Sequence, residues 1–232
     1  LVSNGIFSVA NKFPNVLNTV ANVFMLSWQE SMIKDYDNNK GTSSFCNETF
    51  NMFYVLIFTA GFAAVPVIRL LFPYIVADSY QSALVYVPVI MLSVCFSNLS
   101  GFFGQVYGAV KDTKGIMKST MLGTVVNLSI TIGLIYFIGL WAPIMGTLFS
   151  NVVLVWRRYF RFKEQMNLSI NIKRTILLIV EGITILLINY YGGLIPNLIA
   201  IIGAIALFMV LNIQIIKDFG SVFLSKLRGV KS

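Results

Sequence analysis

The chain has no histidine, and only 11% of its 232 residues are charged. A soluble domain carries about 25% charged residues, so a globule bathed in water on all sides is excluded at the outset. Without imidazole there is no Ser–His–Asp set, and no cluster of metal-ligating side chains occurs at ligand spacing. A phosphate-cradling G-x-x-x-x-G-K-[ST] loop is missing too, which removes a built-in ATP engine. The two cysteines, Cys46 and Cys95, suggest no disulfide framework. Cys95 lies in an apolar run, where a thiol serves as a small packing group. Nothing here points to an enzyme or asks for a cofactor. The chain opens at Leu1 with no basic n-region and no cleavage-site pattern. We expect the C-terminal part of a longer protein, with residues 1–232 forming a single transmembrane domain.

What the sequence has in quantity is apolar length. Hydrophobic residues make up 57% of the chain, and its mean hydropathy is +0.80. Seven apolar runs stand out, at residues 4–29, 52–72, 83–110, 116–138, 140–156, 175–191 and 194–216. Runs of about 17–25 apolar residues suit one helical span each. The expected fold is an all-α, polytopic helical membrane protein with about seven transmembrane helices. Residues 30–51, 73–82, 111–115, 139–143, 157–174 and 192–197 are the expected connections, and Pro14 the expected kink of the first helix.

The charges follow the same division. A net charge of +8 would suggest nucleic acid in a soluble protein; in a membrane protein it reports topology instead, and no nucleic-acid partner is expected. All 17 Lys and Arg except Lys12 and Arg69 fall after runs one, three and five or in the tail. These are Lys34 and Lys40; Lys111, Lys114 and Lys118; Arg157, Arg158, Arg161, Lys163, Lys173 and Arg174; and Lys217, Lys226, Arg228 and Lys231. The connections after runs two, four and six hold none. The positive-inside rule then places the C-terminus in the cytoplasm and the start of the chain outside.

The first run has the most informative pattern. Asn4, Ser8, Asn11, Asn15, Asn18, Asn22 and Gln29 fall within a sector of roughly 80° on one side of a helix. Phe13, Val16, Leu17, Val20, Val23 and Phe24 occupy the other side. Lipid cannot satisfy a row of amides, so this row is expected to face other helices or a wet cavity. Lys12 borders it, and is either a cavity cation or a side chain snorkelling to the interface. Arg69, near the outer end of the second run, is expected to snorkel to the outer interface. Glu181, near the middle of the sixth, is either a protonated packing residue, an ion or proton site, or the partner of a cation elsewhere. Thr120, Thr124, Asn127 and Thr131 form a second polar series. Threonine can return its hydroxyl bond to the preceding turn; Asn127 cannot do so easily and should have a partner, as should Asn151. Ser93, Ser97, Ser100 and Gly104 are spaced for close helix packing.

Several stretches resemble a known family. The sequence GIFSVANKFP at 5–14 with WQE at 28–30, GQVYG at 104–108 followed by Lys111 and Lys114, and the segment from Val126 and Asn127 through Gly139 to Gly146 look like bacterial polysaccharide flippases of the Wzx type. These belong to the multidrug/oligosaccharidyl-lipid/polysaccharide exporter superfamily. The basic segment after Trp156 fits as well, and the resemblance extends to about residue 216. It implies a protein of fourteen spans, two related bundles plus a final pair, of which this chain is the C-terminal half. It implies transport of undecaprenyl-pyrophosphate-linked oligosaccharide repeat units from the inner to the outer leaflet by alternating access, in the bacterial inner membrane. It also brings membrane lipid, the polysaccharide polymerase and the chain-length proteins as partners. Lys12 with Asn11, Asn15, Asn18 and Asn22 then become cavity residues, while Asn127 is a further cavity candidate and Glu181 a candidate ion or proton site from their own positions in the chain. A cation-coupled drug exporter of the same superfamily and a non-transport scaffold for polysaccharide assembly stand as alternatives.

Overall fold

The computed structural model describes residues 2–38 and 44–213. Over these residues the chain is all-helical, with α1 (Val2–Asn38), α2 (Ser44–Ile75), a 3₁₀ segment (Asp78–Val85), α3 (Val87–Ala109), α4 (Thr113–Ile138), α5 (Trp141–Phe162), α6 (Ile172–Tyr191) and α7 (Leu194–Leu211). Lys40, residues 214–216 of the seventh run and the tail cations Lys217, Lys226, Arg228 and Lys231 lie outside the described residues. Four helical stretches are long and apolar enough to cross a membrane: Phe45–Ile75, Val87–Ala109, Thr113–Ile138 and Leu194–Leu211. The remaining helices are less apolar, because α1 carries the amide row, α5 three arginines, and α6 Lys173, Arg174 and Glu181.

The connections are shorter than the polarity of the sequence suggested. Residues 30–51 are helical on both sides of the undescribed stretch, with α1 reaching Asn38 and α2 starting at Ser44. Glu30 and Lys34, four residues apart, pair at 2.6 Å on an exposed face, so these charges decorate a helix instead of ending it. The ammonium of Lys34 holds the Glu30 carboxyl below its usual range. Pro73 opens no turn, since α2 runs on to Ile75, and Pro14 likewise sits inside an unbroken α1. The basic segment 157–174 shrinks to a link over 163–171, because α5 continues to Phe162. That link is bound to α2: the Ser169 backbone N–H donates to Asn47 Oδ1 at 2.8 Å, and Asn51 Nδ2 donates to the Ser169 carbonyl at 2.8 Å. Asn171 then caps α6 by accepting from the Arg174 N–H at 3.2 Å. Between α3 and α4, Lys111 takes φ 57° and Asp112 caps α4, accepting from the Gly115 N–H at 2.8 Å. Gly139 ends α4 at φ 54°, a conformation that a Cβ disfavours.

Contacts at successive depths fix the directions of the helices. α1 and α3 run parallel, with Asn98 bonded to Asn18 and Trp28 stacked on Phe102. α3 and α5 are parallel as well, with Asn151 bonded to Ser93 and Arg158 to Ser100. α2 and α6 run together, Tyr54 lying near Thr175 and Phe62 against Gly182. α2 is antiparallel to α1, through Phe13–Phe72 and Phe24–Phe53, and to α7, through Asn197–Pro66 and Asn212–Thr59. Ser150 bonded to Gly123 and Asn127 bonded to Thr147 make α4 and α5 antiparallel. Direction therefore alternates from one helix to the next. Lys34, Lys111, Lys114, Arg161, Lys163, Lys173 and Arg174 all belong to helix ends or links at one end of the bundle.

α3 is the central helix, packed by α1, α2 and α5, while α4 leans on α5 and α6 and α7 lean on α2. Phe102, Phe103 and Val106 of α3 are fully buried. Around them Trp28, Phe50 and Phe53 form an aromatic cluster, with the Trp28 and Phe102 rings 4.4 Å apart.

Candidate functional site on the uncovered face of the first helix

Three strips run along α1. The first packs into the bundle through Ala10, Pro14, Ala21, Met25, Trp28 and Met32, all buried. Trp28 also donates its indole N–H to the Phe102 carbonyl at 3.4 Å. Opposite Leu17, α2 offers Gly61, where a Cβ would meet Cys95 Sγ at 2.5 Å. The second strip is the amide row. Asn4, Ser8, Asn15 and Asn22 are exposed, and Asn11 and Asn18 are half-buried at its edge. The third strip differs from the expected two-sided pattern. Phe13, Leu17 and Phe24 pack at its border, but Val16, Val20 and Val23 are exposed by 64–68%. A two-sided division could not separate valines that touch protein from valines that do not, because both are equally apolar.

The amide row is linked to α3 at one point. Asn98 Nδ2 donates to Asn18 Oδ1 at 2.7 Å, and Asn18 Nδ2 donates to Asn15 Oδ1 at 3.1 Å. Asn11 instead donates to its own helix, to the Phe7 carbonyl at 2.7 Å. Beside Asn98, Ser97 is exposed, and a Cβ on Gly101 or Gly108 would meet nothing within 4 Å. The result is a wall of amides and small residues. Lys12 lies between the amide and valine strips, exposed, with no hydrogen bond or ion pair among the described residues. Such a wall can offer sugar hydroxyls both donors and acceptors, and offer a phosphate one mobile cation.

The other expected site residues lie elsewhere. Asn127 Nδ2 donates to Thr147 Oγ1 at 3.1 Å and so ties α4 to α5, supplying the partner it required. Asn151 is partnered too, its Nδ2 3.1 Å from both the carbonyl and hydroxyl oxygens of Ser93. Thr120 and Thr124 return their hydroxyls to the preceding turn. Glu181 is buried on α6, with neither carboxyl oxygen hydrogen-bonded among the described residues. Arg69 does more than reach for an interface. Its guanidinium donates to the carbonyls of Ile188 at 2.8 Å, Gly192 at 2.6 Å and Asn189, closing the C-terminus of α6.

Two features escaped sequence reasoning. The sequence places Arg158 in a run of loop charges, yet it is only 6% exposed, inside α5. It donates to the Ser100 carbonyl at 2.8 Å, Ser100 Oγ at 3.0 Å, Ser119 Oγ at 3.2 Å and Thr120 Oγ1 at 3.0 Å. One guanidinium thus joins α3, α4 and α5 with no carboxylate partner among the described residues. The second feature is an aromatic groove of about 650 Å³ between α2, α3, α5 and α6. Its signal was present in the sequence as Phe50, Tyr54, Phe58 and Phe62, one aromatic per turn on a single helix face. Among the described residues no group of three or more His, Cys, Asp and Glu could hold a metal ion. No protein-family model matches the chain, and neither a curated protein nor a solved structure matches it significantly.

Proposed function

We propose that this chain is one bundle of a bacterial inner-membrane flippase with seven spans and a cytoplasmic C-terminus. Its cargo is an undecaprenyl-pyrophosphate-linked oligosaccharide repeat unit, carried from the inner to the outer leaflet. The observation that carries the proposal is the exposed amide row of α1, with Lys12 beside it, in a chain this poor in charge. A polar row of that length is costly against lipid and useful against a hydrated, hydroxyl-rich headgroup. The family resemblance supplies the substrate class. The collection of cations at one end of the bundle supports the orientation. A second bundle facing α1 provides alternating access around a midplane site, and Glu181 serves as the ion or proton site that couples the cycle.

Lys12→Ala in the full-length protein tests the cargo. Surface polysaccharide should fall several-fold while the protein inserts normally, and Lys12→Arg should keep part of the function. Wild-type export by Lys12→Ala would remove Lys12 from the cavity. In a strain lacking the gene and any second flippase, lipid-linked repeat units should accumulate on the cytoplasmic leaflet. Their normal arrival at the outer leaflet would end the proposal.

A further inference from the structure

The aromatic groove is set apart from α1. Its floor is α2 and α3, and its walls are α5 and α6, which meet through the link 163–171. Phe50, Tyr54, Phe58 and Phe62 run along the floor, and Trp156 and Phe160 stand on one wall. The volume of about 650 Å³ falls within the roughly 300–1,000 Å³ of small-molecule sites. The lining is almost entirely apolar, and the residues at one end carry the charge. Lys163 lies over the Phe160 ring, 5.8 Å from its centroid. Arg174 stands in the first turn of α6, one turn before the lining residue Leu178, while Lys173 falls on the opposite side of the helix. Neither Lys163 nor Arg174 makes an ion pair among the described residues. The nearby acids, Glu48 and Glu164, are exposed and equally unpaired.

We propose that this groove holds a membrane phospholipid with an anionic headgroup, its phosphate held by Lys163 and Arg174 and an acyl chain laid along the aromatic floor. An apolar slot with unpaired cations at one end matches a molecule that is hydrocarbon at one end and anionic at the other. Basic pockets between membrane helices on the cytoplasmic side bind such headgroups. The inference rests on the membrane part of the reading above and not on the cargo. The lipid is a resident of the bundle, bound on a face that the amide row does not share.

Trp156, 63% exposed, reports on the groove directly. The purified full-length protein is placed in phosphatidylcholine vesicles containing small mole fractions of brominated phosphatidylglycerol or brominated phosphatidylcholine. The quenching of Trp156 is taken as the difference between the wild type and Trp156→Phe. Half-quenching is expected at a mole fraction several-fold lower for the anionic lipid. Lys163→Gln and Arg174→Gln should each weaken that preference by roughly fivefold, the equivalent of about 1 kcal/mol per surface charge, with unchanged circular dichroism, whereas Lys173→Gln on the far side of α6 should leave it unchanged. Equal quenching by the two lipids would overturn the proposal and leave the membrane reading standing. Absence of quenching by either lipid would overturn both. Unlabelled phosphatidylglycerol should relieve the quenching better than unlabelled polyprenyl phosphate; the reverse order would replace the phospholipid by a cargo-type lipid and end the proposal.

Discussion

α3 and α4 are neighbours in sequence and similar in composition, both long and apolar enough to cross a membrane. Yet 67% of the most apolar stretch of α3 is buried and only 6% of that of α4. In water such a difference would leave a mark, because an exposed helix face would be polar. In lipid the uncovered face of α4 can be as apolar as the covered face of α3, so hydropathy reports a helix without reporting its neighbours. What separates the two is the small and polar residues. On α3, Ser93 and Ser100 accept bonds from α5. On α4, Ser119, Thr120 and Asn127 bond to α5, while Thr124 bonds only to its own backbone. Contact between these helices is marked by who accepts whose hydrogen bond.

The largest break in this comparison should come from removing a ring at the centre of α3. Phe102→Ala should cost on the order of 2–4 kcal/mol, towards the lower part of the soluble-core range because little of the loss is water exclusion. Leu128→Ala, at 52% exposure on α4, should stay within about 0.5 kcal/mol. Reversible unfolding in mixed micelles measures both, and similar losses would mean that α4 is covered after all.

Next comes the cation that joins α4 to α3. Arg158→Ala removes four hydrogen bonds donated by a charged group to Ser100, Ser119 and Thr120. We expect a loss of about 2–3 kcal/mol, since the hydroxyls left behind fall back on their own turns. Cysteines introduced at Met121 and on α3 should also lose a fixed separation in spin-label distance measurements. Arg158→Lys should restore only part, because an ammonium cannot reproduce the planar fork. An unaltered distance distribution in Arg158→Ala would show that α4 is held by its packing on α5 alone.

The smallest effects should separate glycines by their surroundings. Gly61→Val should cost about 1–3 kcal/mol by overpacking, since its Cβ would lie 2.5 Å from Cys95 Sγ. Gly133→Ala on α4, where a Cβ meets nothing within 4 Å, should be neutral or stabilising by up to about 1 kcal/mol. The same unfolding measurement decides, and a costly Gly133→Ala would reveal a close neighbour on α4.

The apolar runs, their alternation with basic connections and the amide row of α1 were legible because each is a repeated pattern with one physical cause. The partners expected for Asn127 and Asn151 could be argued for the same reason, since an amide has few ways to satisfy itself within a helix. The helix ends were harder. The sequence after Gln29 turns polar, but Glu30 and Lys34 support a helix as well as a loop. Arg158 was hidden among Arg157, Arg161 and Lys163, because a run of cations does not show which one points inward. The division of the apolar side of α1 into a packed and an uncovered strip was beyond reach, since lipid and protein interior select the same side chains.

The Arg69 cap carries an order of events in biogenesis. Arg69 precedes Ile188 by 119 residues, so a chain made from its N-terminus presents the guanidinium long before α6 exists. α6 is not among the four helical stretches apolar enough to cross a membrane, and Glu181 lies within its run, so it is a poor candidate to enter a bilayer by itself. In a membrane its last carbonyls would meet donors that α2 already carries, so the earlier helix would act as a mould in which the later one is finished.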